Sequence, residues 1–315
     1  MALLIDQTPS NILERIISKV RRTLRDWRRA KIRKRFVKLP PSPLRTTAQS
    51  FSVHMLLCHK DLEMATCAAK SFILASQQAY CFTFHDDGSL TTKDKMLLQY
   101  HFPGCQVIDY QTSLQRAKET FGENSEIYKM RLKGVMMLKL IDIRLFSTHD
   151  KALLLDSDIL FFERPEALLE AIVKDNQANV FNKDIETCYM IEQAILEDIC
   201  GYTLPARINA GLSVLHTQAI RFDLLEKWLT EIQERKLSII IHRIEQSLIS
   251  MLCTSLPFTA AHLPEGYDVS FFKAVDTSVC KHYVGKIRHG FELEGASYLL
   301  KEKQFEKKWL AFSKS

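Results

Sequence analysis

Two aspartates, Asp156 and Asp158, stand between two apolar runs near the middle of the sequence. The run before them, residues 153–155, is predicted to be a buried strand, and residues 159–161 are apolar again. Two carboxylates this close to a core are costly unless a cation compensates their charge. A divalent cation would remove this cost and would also bind phosphate oxygens. The pair therefore predicts a metal site for a phosphate-containing ligand, with solvated carboxylates in an ordinary turn as the alternative.

Strands and helices alternate in the part of the chain that leads to these aspartates. Apolar periodicity predicts strands over residues 51–58, 80–84, 106–108 and 152–155, and helices over 62–76, 91–101 and 127–146. This order is typical of an α/β fold with a mainly parallel sheet and helices on both faces. The second half is less regular, with helices predicted near 165–173, 190–198, 219–234 and 243–254 and strands near 179–181 and 212–215.

Ligands of such sheets bind at the carboxyl ends of the strands. This rule places His59, Asp86 and Asp87 along one crevice with the turn that carries Asp156 and Asp158. Residues 85–89 are also predicted to form a strand-end turn that caps the following helix. The structural role of this turn is the favoured interpretation, and contact of Asp87 with a nucleoside is the functional one.

Three segments carry a resemblance to a known family. Residues 151–165 resemble the DxD region of GT-A glycosyltransferases, especially the family 8 group that includes glycogenin and the lipopolysaccharide galactosyltransferases. Residues 208–212 are similar to the turn with asparagine and glycine that contacts the donor sugar, and residues 281–286 to the late His-aromatic-x-Gly segment. The resemblance covers roughly residues 51 to 288. It departs from the family at 286–289, where Lys-Ile-Arg-His replaces the usual Lys-Pro-Trp.

This resemblance implies a GT-A, Rossmann-like α/β fold and metal-dependent transfer of a sugar, with retention, from a nucleotide-sugar to a glycan or lipid-linked acceptor. It implies a UDP-sugar as donor and Mn²⁺ or Mg²⁺ as cofactor. The implied metal ligands are Asp156, Asp158 and His282, and the implied catalytic residues are Asn209, Glu245 and Gln246. Together with the crevice rule, it predicts these donor-binding residues: His59, Asp87, Lys139, Gly211, Gly285, Lys286 and Arg288.

Several of these residues have a plain structural interpretation as well. His282 alone could be a surface histidine, and Asn209 could be an ordinary turn residue before a glycine. Glu245 and Gln246 could be a helix surface pair, and Lys139 a solvated lysine. The sequence also leaves open whether Lys286 or Arg288 meets the diphosphate.

The first 45 residues differ from the rest in charge. They contain thirteen Lys or Arg and three Asp or Glu, a net +10, whereas the whole chain carries +6, so residues 46–315 carry −4. Residues 10–37 are predicted to form an amphipathic helix with an apolar face of Ile12, Ile16, Val20, Leu24 and Trp27. The prolines at 40, 41 and 43 then end it. We therefore predict a basic leader over 1–45 and a catalytic domain over 46–315.

The leader suggests a partner. Its cations and apolar face favour an anionic membrane surface, bound through residues 10–38, with packing against the acidic catalytic domain as the alternative. Nucleic acid is not expected, because it offers nothing for the apolar face to contact. The eight scattered cysteines indicate a reducing compartment, and the sequence has neither a signal-peptide apolar region nor a run of about 20 apolar residues. A cytoplasmic protein, peripheral at the inner face of the membrane, is predicted.

Two other functions remain open at this point. A nucleotidyltransferase would share the Rossmann-like fold and an acidic metal site, but residues 57–62 lack the glycine-rich loop that usually follows the first strand of such enzymes. A non-catalytic membrane or nucleic-acid adaptor would depend on the leader alone.

Overall fold

A computed structural model describes residues 12–44, 50–269 and 273–314 of the chain. Ten strands are described: β1 (Ser52–Leu57), β2 (Phe82–Asp86), β3 (Gln106–Ile108), β4 (Lys151–Leu155), β5 (Ile159–Phe161), β6 (Ala178–Lys183), β7 (Ile208–His216), β8 (Thr259–His262), β9 (Tyr267–Asp268) and β10 (Cys280–His282). Seven of them form one sheet in the order β3-β2-β1-β4-β7-β6-β8. The other three form a small sheet in the order β5-β10-β9.

The large sheet is mainly parallel, as predicted. β1 is parallel to β2 and β4, β2 to β3, and β6 to β8. β7 is the exception, because it runs antiparallel to both β4 and β6. Its first residues therefore lie beside the carboxyl end of β4, where the two aspartates follow.

Twelve helices are described: α1 (Ile12–Val37), α2 (Leu62–Ser76), α3 (Thr92–His101), α4 (Tyr110–Phe121), α5 (Glu126–Lys133), α6 (Met137–Phe146), α7 (Glu166–Val173), α8 (Gln193–Cys200), α9 (Phe222–Glu234), α10 (Ile244–Thr254), α11 (Ser297–Lys301) and α12 (Phe305–Phe312). A π-helical turn, Phe291–Ala296, precedes α11. In the part of the chain that the structure describes, no helix is both long and apolar enough to cross a membrane.

Helices cover both faces of the large sheet, and β4 shows why. Its side chains alternate between the faces, as in any strand. Leu153 and Leu155 join the core that contains α2, whereas Ala152 and Leu154 join the core that contains α6 and α10. Burial on both sides explains why this strand reads as a continuous apolar run.

Two local predictions were wrong, and one helix was missed. Residues 127–146 form two helices, α5 and α6, because the chain leaves helical geometry at Gly134, whose N–H closes α5 on the Met130 carbonyl at 3.0 Å. The polar helix α4 was not predicted. The cap of α3 is Thr91 in a capping box with Asp94, rather than the 85–89 turn.

The second half of α1 packs against the rest of the protein. Phe36 is fully buried and lies against Phe305, with ring centroids 4.9 Å apart. The buried Lys70 ammonium donates hydrogen bonds to the carbonyls of Phe36 and Leu39, both at 3.0 Å, and of Pro40 at 3.1 Å. This part of the leader therefore packs against the rest of the protein, which was the alternative to membrane binding in the prediction. The domain boundary at 45/46 stays a prediction, since residues 45–49 lie outside the described residues.

Candidate active site

Three elements meet at the carboxyl end of β4. The Asp156 N–H donates to the Gly211 carbonyl of β7 at 2.8 Å, and the Tyr283 N–H donates to the Asp158 carbonyl at 2.9 Å. β10 pairs antiparallel with β5, which places His282 opposite Ile159. The turn with both aspartates is thus held between β7 on one side and the end of β10 on the other.

Asp156, Asp158 and His282 form a cluster in which one ligand atom from each lies within 4.8 Å of the others. His282 Nε2 is 3.0 Å from Asp158 Oδ1 and 3.7 Å from Asp156 Oδ2. Among the described residues this is the one group of three or more metal-ligating side chains that could hold an ion. Two carboxylates and an imidazole are ligands that Mn²⁺ accepts together.

The pKa values of His282 and Asp158 reflect the charges around this cluster. Burial alone would lower the pKa of His282, but the neighbouring Asp158 and Asp156 raise it, so the cluster draws a proton onto the imidazole. Burial alone would raise the pKa of Asp158, yet His282 and Arg288 lower it. The shift of His282 indicates that positive charge is stabilised beside the two carboxylates, and the shift of Asp158 indicates that His282 and Arg288 already offset part of its negative charge.

The absence of a side chain at Gly211 makes room for the metal-ligating cluster. A Cβ at this position would lie 2.3 Å from His282 Cε1 and 2.7 Å from Asp156 Oδ2. No residue with a side chain can stand there without displacing a proposed metal ligand. The glycine, predicted to bind the donor, therefore lies directly against the metal-ligating side chains.

Asn209 orients His282. Its Oδ1 accepts from His282 Nδ1 at 3.0 Å and from the Gly211 N–H at 3.1 Å, while its Nδ2 donates to Asp184 Oδ2 at 2.9 Å. The hydrogen bond at Nδ1 leaves Nε2 facing the carboxylates, which is the usual way a ligating histidine is fixed. Sequence reasoning missed Asp184, because nothing local marks it as the partner of a residue 25 positions later.

Lys139 and Glu245 form the buried wall next to Asp156. Lys139 Nζ is 2.5 Å from Asp156 Oδ1. Burial opposes the charge on Lys139, but Asp156 and Glu245 raise its pKa. Burial raises the pKa of Glu245 to about 7, and its Oε1 has no hydrogen-bond partner among the described residues. The lysine and the glutamate, for which solvated surface positions were the alternative, are both buried.

Gln246, the neighbour of Glu245, braces the backbone. Its Oε1 accepts from the Ala210 N–H at 3.3 Å, and its Nε2 donates to the Cys188 carbonyl at 3.2 Å. These bonds tie α10 to the first residues of β7. Gln246 thereby supports the segment that carries Asn209 and Gly211.

Of the two basic residues considered, Arg288 is the one that the structure shows next to the aspartates. Its Nε lies 3.4 Å from Asp158 Oδ2, and its Nη2 lies 2.5 Å from Asp61 Oδ2. Gly285, with φ +54, begins the short 3-10 turn that places Arg288. The side chain of Lys286 lies outside the described side chains. Asp61 is a second residue that sequence reasoning missed.

His59 and Asp87 lie at the same edge of the sheet but bond locally. His59 Nδ1 is 2.7 Å from Asp94 Oδ2, and its N–H donates to Ser89 Oγ at 2.8 Å. Asp87 Oδ1 accepts from the N–H of Ser89 at 2.9 Å. The Asp87 N–H donates to the Leu57 carbonyl, so the ends of β1 and β2 are joined there. Neither side chain is brought to the metal-ligating cluster by these bonds.

The chain is similar in structure to several glycosyltransferases. Mouse xyloside xylosyltransferase 1 in its apo form matches with a TM-score of 0.50 at 12% identity, over 76% of this chain and 98% of that one. Galactosyltransferase LgtC, in complex with donor and acceptor sugar analogues, matches with a TM-score of 0.47 at 14% identity, over 75% and 87%. Core-mannan synthase A of Aspergillus fumigatus, in a Mn/GDP form, matches at 0.44 and 10% identity, over 71% and 75%.

No family model matches the sequence, and no curated protein sequence is significantly similar to it. The likeness to the xylosyltransferase, with a TM-score of 0.50 at 12% identity, establishes the fold alone. The predicted fold, the mixed α/β GT-A fold of glycosyltransferases, is confirmed.

Proposed function

We propose that this protein is a metal-dependent glycosyltransferase that moves a sugar from a nucleotide-sugar to an acceptor. The observation that carries the proposal is the cluster of Asp156, Asp158 and His282 at the carboxyl edge of a GT-A sheet. Ligands of such sheets bind at this edge. In the proposed function, these three side chains hold Mn²⁺ or Mg²⁺, and Asn209 keeps His282 in the ligating orientation.

A divalent cation bound there supplies positive charge to the diphosphate of the donor. Arg288 adds a second positive group, because its guanidinium lies beside Asp158 and its side chain is partly exposed. Positively charged groups that are held in place before the reaction stabilise the negative charge of a leaving diphosphate without having to reorganise. In this proposal Lys286 assists Arg288, and Gly285 allows the turn that presents both.

The remaining site residues take two kinds of role. Glu245, a buried carboxyl beside Lys139, is proposed to contact the transferred sugar, because its Oε1 has no hydrogen-bond partner among the described residues and would accept one from a sugar hydroxyl. Asn209 and Gln246, predicted as catalytic, are proposed to act by positioning His282 and β7. His59 and Asp87 are proposed to line the nucleoside end of the crevice.

The donor nucleotide, the stereochemistry and the acceptor are proposed from the resemblance to the family 8 glycosyltransferases. We propose a UDP-sugar as donor, retention of configuration at the anomeric carbon, and a glycan or lipid-linked acceptor. A cytoplasmic position at the inner face of the membrane would suit such an acceptor.

The experiment is a thermal-shift screen of nucleotide-sugars with Mn²⁺ or with EDTA, followed by product analysis. A true donor at 100 times its dissociation constant should stabilise the protein by about 2.7 kcal/mol, and only with the metal. Slow hydrolysis of a glycosyltransferase donor gives free sugar and nucleoside diphosphate. Release of nucleoside monophosphate and sugar phosphate would instead indicate attack at the diphosphate and would contradict the proposal.

A further inference from the structure

Residues 16–28 of α1 extend away from the described rest of the protein. Every side chain from residue 16 to residue 28 is exposed, whereas Arg29, Arg33 and Phe36 contact the body. Residues 16–28 continue a 26-residue helix whose second half is anchored, so they keep helical geometry with their own side chains in solvent. Among the described residues nothing packs against this segment, so a partner outside this chain would account for its composition.

The exposed segment has an apolar face that points away from the body. Its apolar side chains are 41–59% exposed and recur at helical spacing: Ile16, Ile17, Val20, Leu24 and Trp27. At about 100° per residue, Val20 lies roughly 160° around the helix from Phe36, which is buried against the body. The apolar face is therefore on the outer side of the helix, where a partner can reach it.

Cations flank this face and continue beyond it. Lys19, Arg21, Arg22, Arg25 and Arg28 belong to the same segment, against one acid, Asp26. On the outer side of the second half, Lys31 lies over the Trp27 ring at 5.2 Å, and Lys34 and Lys38 follow along a cleft of about 250 Å³. Apolar side chains edged by cations match the boundary between acyl chains and anionic headgroups.

We propose that the outer face of α1 binds an anionic lipid bilayer, with Leu24 and Trp27 among the side chains that enter it. A nucleic-acid backbone would satisfy the cations but would leave five large apolar side chains in water. A second copy of the helix would bring one strongly basic segment against another. The inference involves no residue of the metal site, so it can fail or hold independently of the proposed transferase activity.

Trp27 provides a built-in probe. The sequence has three tryptophans, and Trp228 and Trp309 are buried whereas Trp27 is 59% exposed. Quenching of fluorescence by acrylamide therefore reports mainly on Trp27. Vesicles made of equal parts phosphatidylcholine and phosphatidylglycerol should blue-shift its emission and protect it from acrylamide, whereas phosphatidylcholine vesicles should not.

The decisive comparison uses two variants of the full chain, Leu24→Glu and Ser18→Glu, in vesicle flotation. Both add the same charge to an exposed position, but only the first lies on the apolar face. Ser18→Glu should weaken binding to the mixed vesicles about fivefold to tenfold, through charge alone. Leu24→Glu should weaken it at least about tenfold more, because it also removes an inserted side chain.

Binding should fall steeply when salt is raised, since the cations are exposed. Equal losses in the two variants, equal binding to neutral vesicles, or an unchanged Trp27 signal would overturn the proposal. Self-association of the full chain that Leu24→Glu abolishes, in the absence of vesicle binding, would assign the face to a second copy instead. None of these measurements uses a sugar donor.

Discussion

Two buried glutamates, Glu292 and Glu245, have opposite surroundings. Glu292 is fully buried, but Arg29 Nε lies 2.8 Å from its Oε2 and Arg33 Nη1 contacts its Oε1. Glu245 is buried and its Oε1 has no hydrogen-bond partner within the part of the chain that the structure describes, while the neighbouring Lys139 is already paired with Asp156. We therefore expect the ionised glutamate to stabilise the fold at position 292 and to destabilise it at position 245.

Replacing Glu245 with Gln should stabilise the metal-free protein at pH 8. The folded-state pKa of Glu245 is raised from 4.5 to about 7, so its ionisation costs stability progressively as the pH rises from about 4.5 to 7. Glu245→Gln removes this cost, on the order of 3 kcal/mol at pH 8 and close to zero at pH 4.5. Urea unfolding in EDTA at both pH values is the measurement.

Glu292→Gln is the matched control at the other buried carboxyl. It leaves two arginines without their partner and should lower stability by about 2 kcal/mol, less than for a fully buried pair because the arginines are partly exposed. Identical pH dependence in the wild type and in Glu245→Gln would show that Glu245 is not buried as an unpaired carboxyl.

At the scale of elements, β7 matters because it begins where β4 ends. Gly211→Ala should disrupt the metal site, since the added Cβ would collide with His282 and Asp156. A displacement of about 1 Å at reacting groups can reduce turnover about a hundredfold. We expect this loss in metal-dependent donor turnover, with a circular dichroism spectrum like that of the wild type.

Gly134→Ala is the control for that substitution. A Cβ at Gly134 would meet the Met130 carbonyl at 3.7 Å and Ile241 side-chain atoms at 3.8 Å, which are ordinary contacts. Its turnover should match the wild type. Comparable losses in the two alanine variants would mean that crowding at the metal-ligating cluster is not the cause.

The sequence predicted elements with a strong periodic signal and missed partners that are distant along the chain. The apolar run of β4 located Asp156 and Asp158, because a strand buried on both faces has few polar residues. Helix α4 was missed because most of its residues are polar and its buried residues, Ser113 and Ala117, are small. Asp61 is paired with Arg288, 227 positions later, and only the folded chain brings such residues together.

The leader shows the same limit on a larger scale. Its amphipathic pattern predicted the helix, but the fate of its second half depended on Glu292 and Lys70, which the sequence gives no reason to place under it. Arginines of α1 pair with the buried Glu292, and carbonyls of α1 and the residues just after it accept hydrogen bonds from the buried Lys70. One helix thus has an outer half free for a partner and an inner half that belongs to the core.

For the whole molecule, two truncations should separate these halves. Removing residues 1–28 should leave the melting temperature and the donor turnover close to those of the full chain, because those described side chains are exposed. Removing residues 1–45 also deletes Phe36, the carbonyls that accept from Lys70 and the two arginines that pair with Glu292. Loss of an aromatic core side chain alone costs about 3–5 kcal/mol, so the longer deletion should unfold or aggregate. Thermal unfolding of both forms decides, and an unchanged melting temperature in the longer deletion would show that the inner half is not part of the core.

The central claim is that Asp156, Asp158 and His282 hold the metal that binds the donor diphosphate. Isothermal titration with UDP and with GDP, in Mn²⁺ and in EDTA, tests it most directly when the wild type is compared with Asp158→Asn and with His289→Ala, which lies outside the cluster. Our account predicts nucleotide binding only with the metal, a loss of at least about a hundredfold in Asp158→Asn because a charged ligand is removed, and little change in His289→Ala. Equally tight binding in EDTA, or in Asp158→Asn with Mn²⁺, would contradict it.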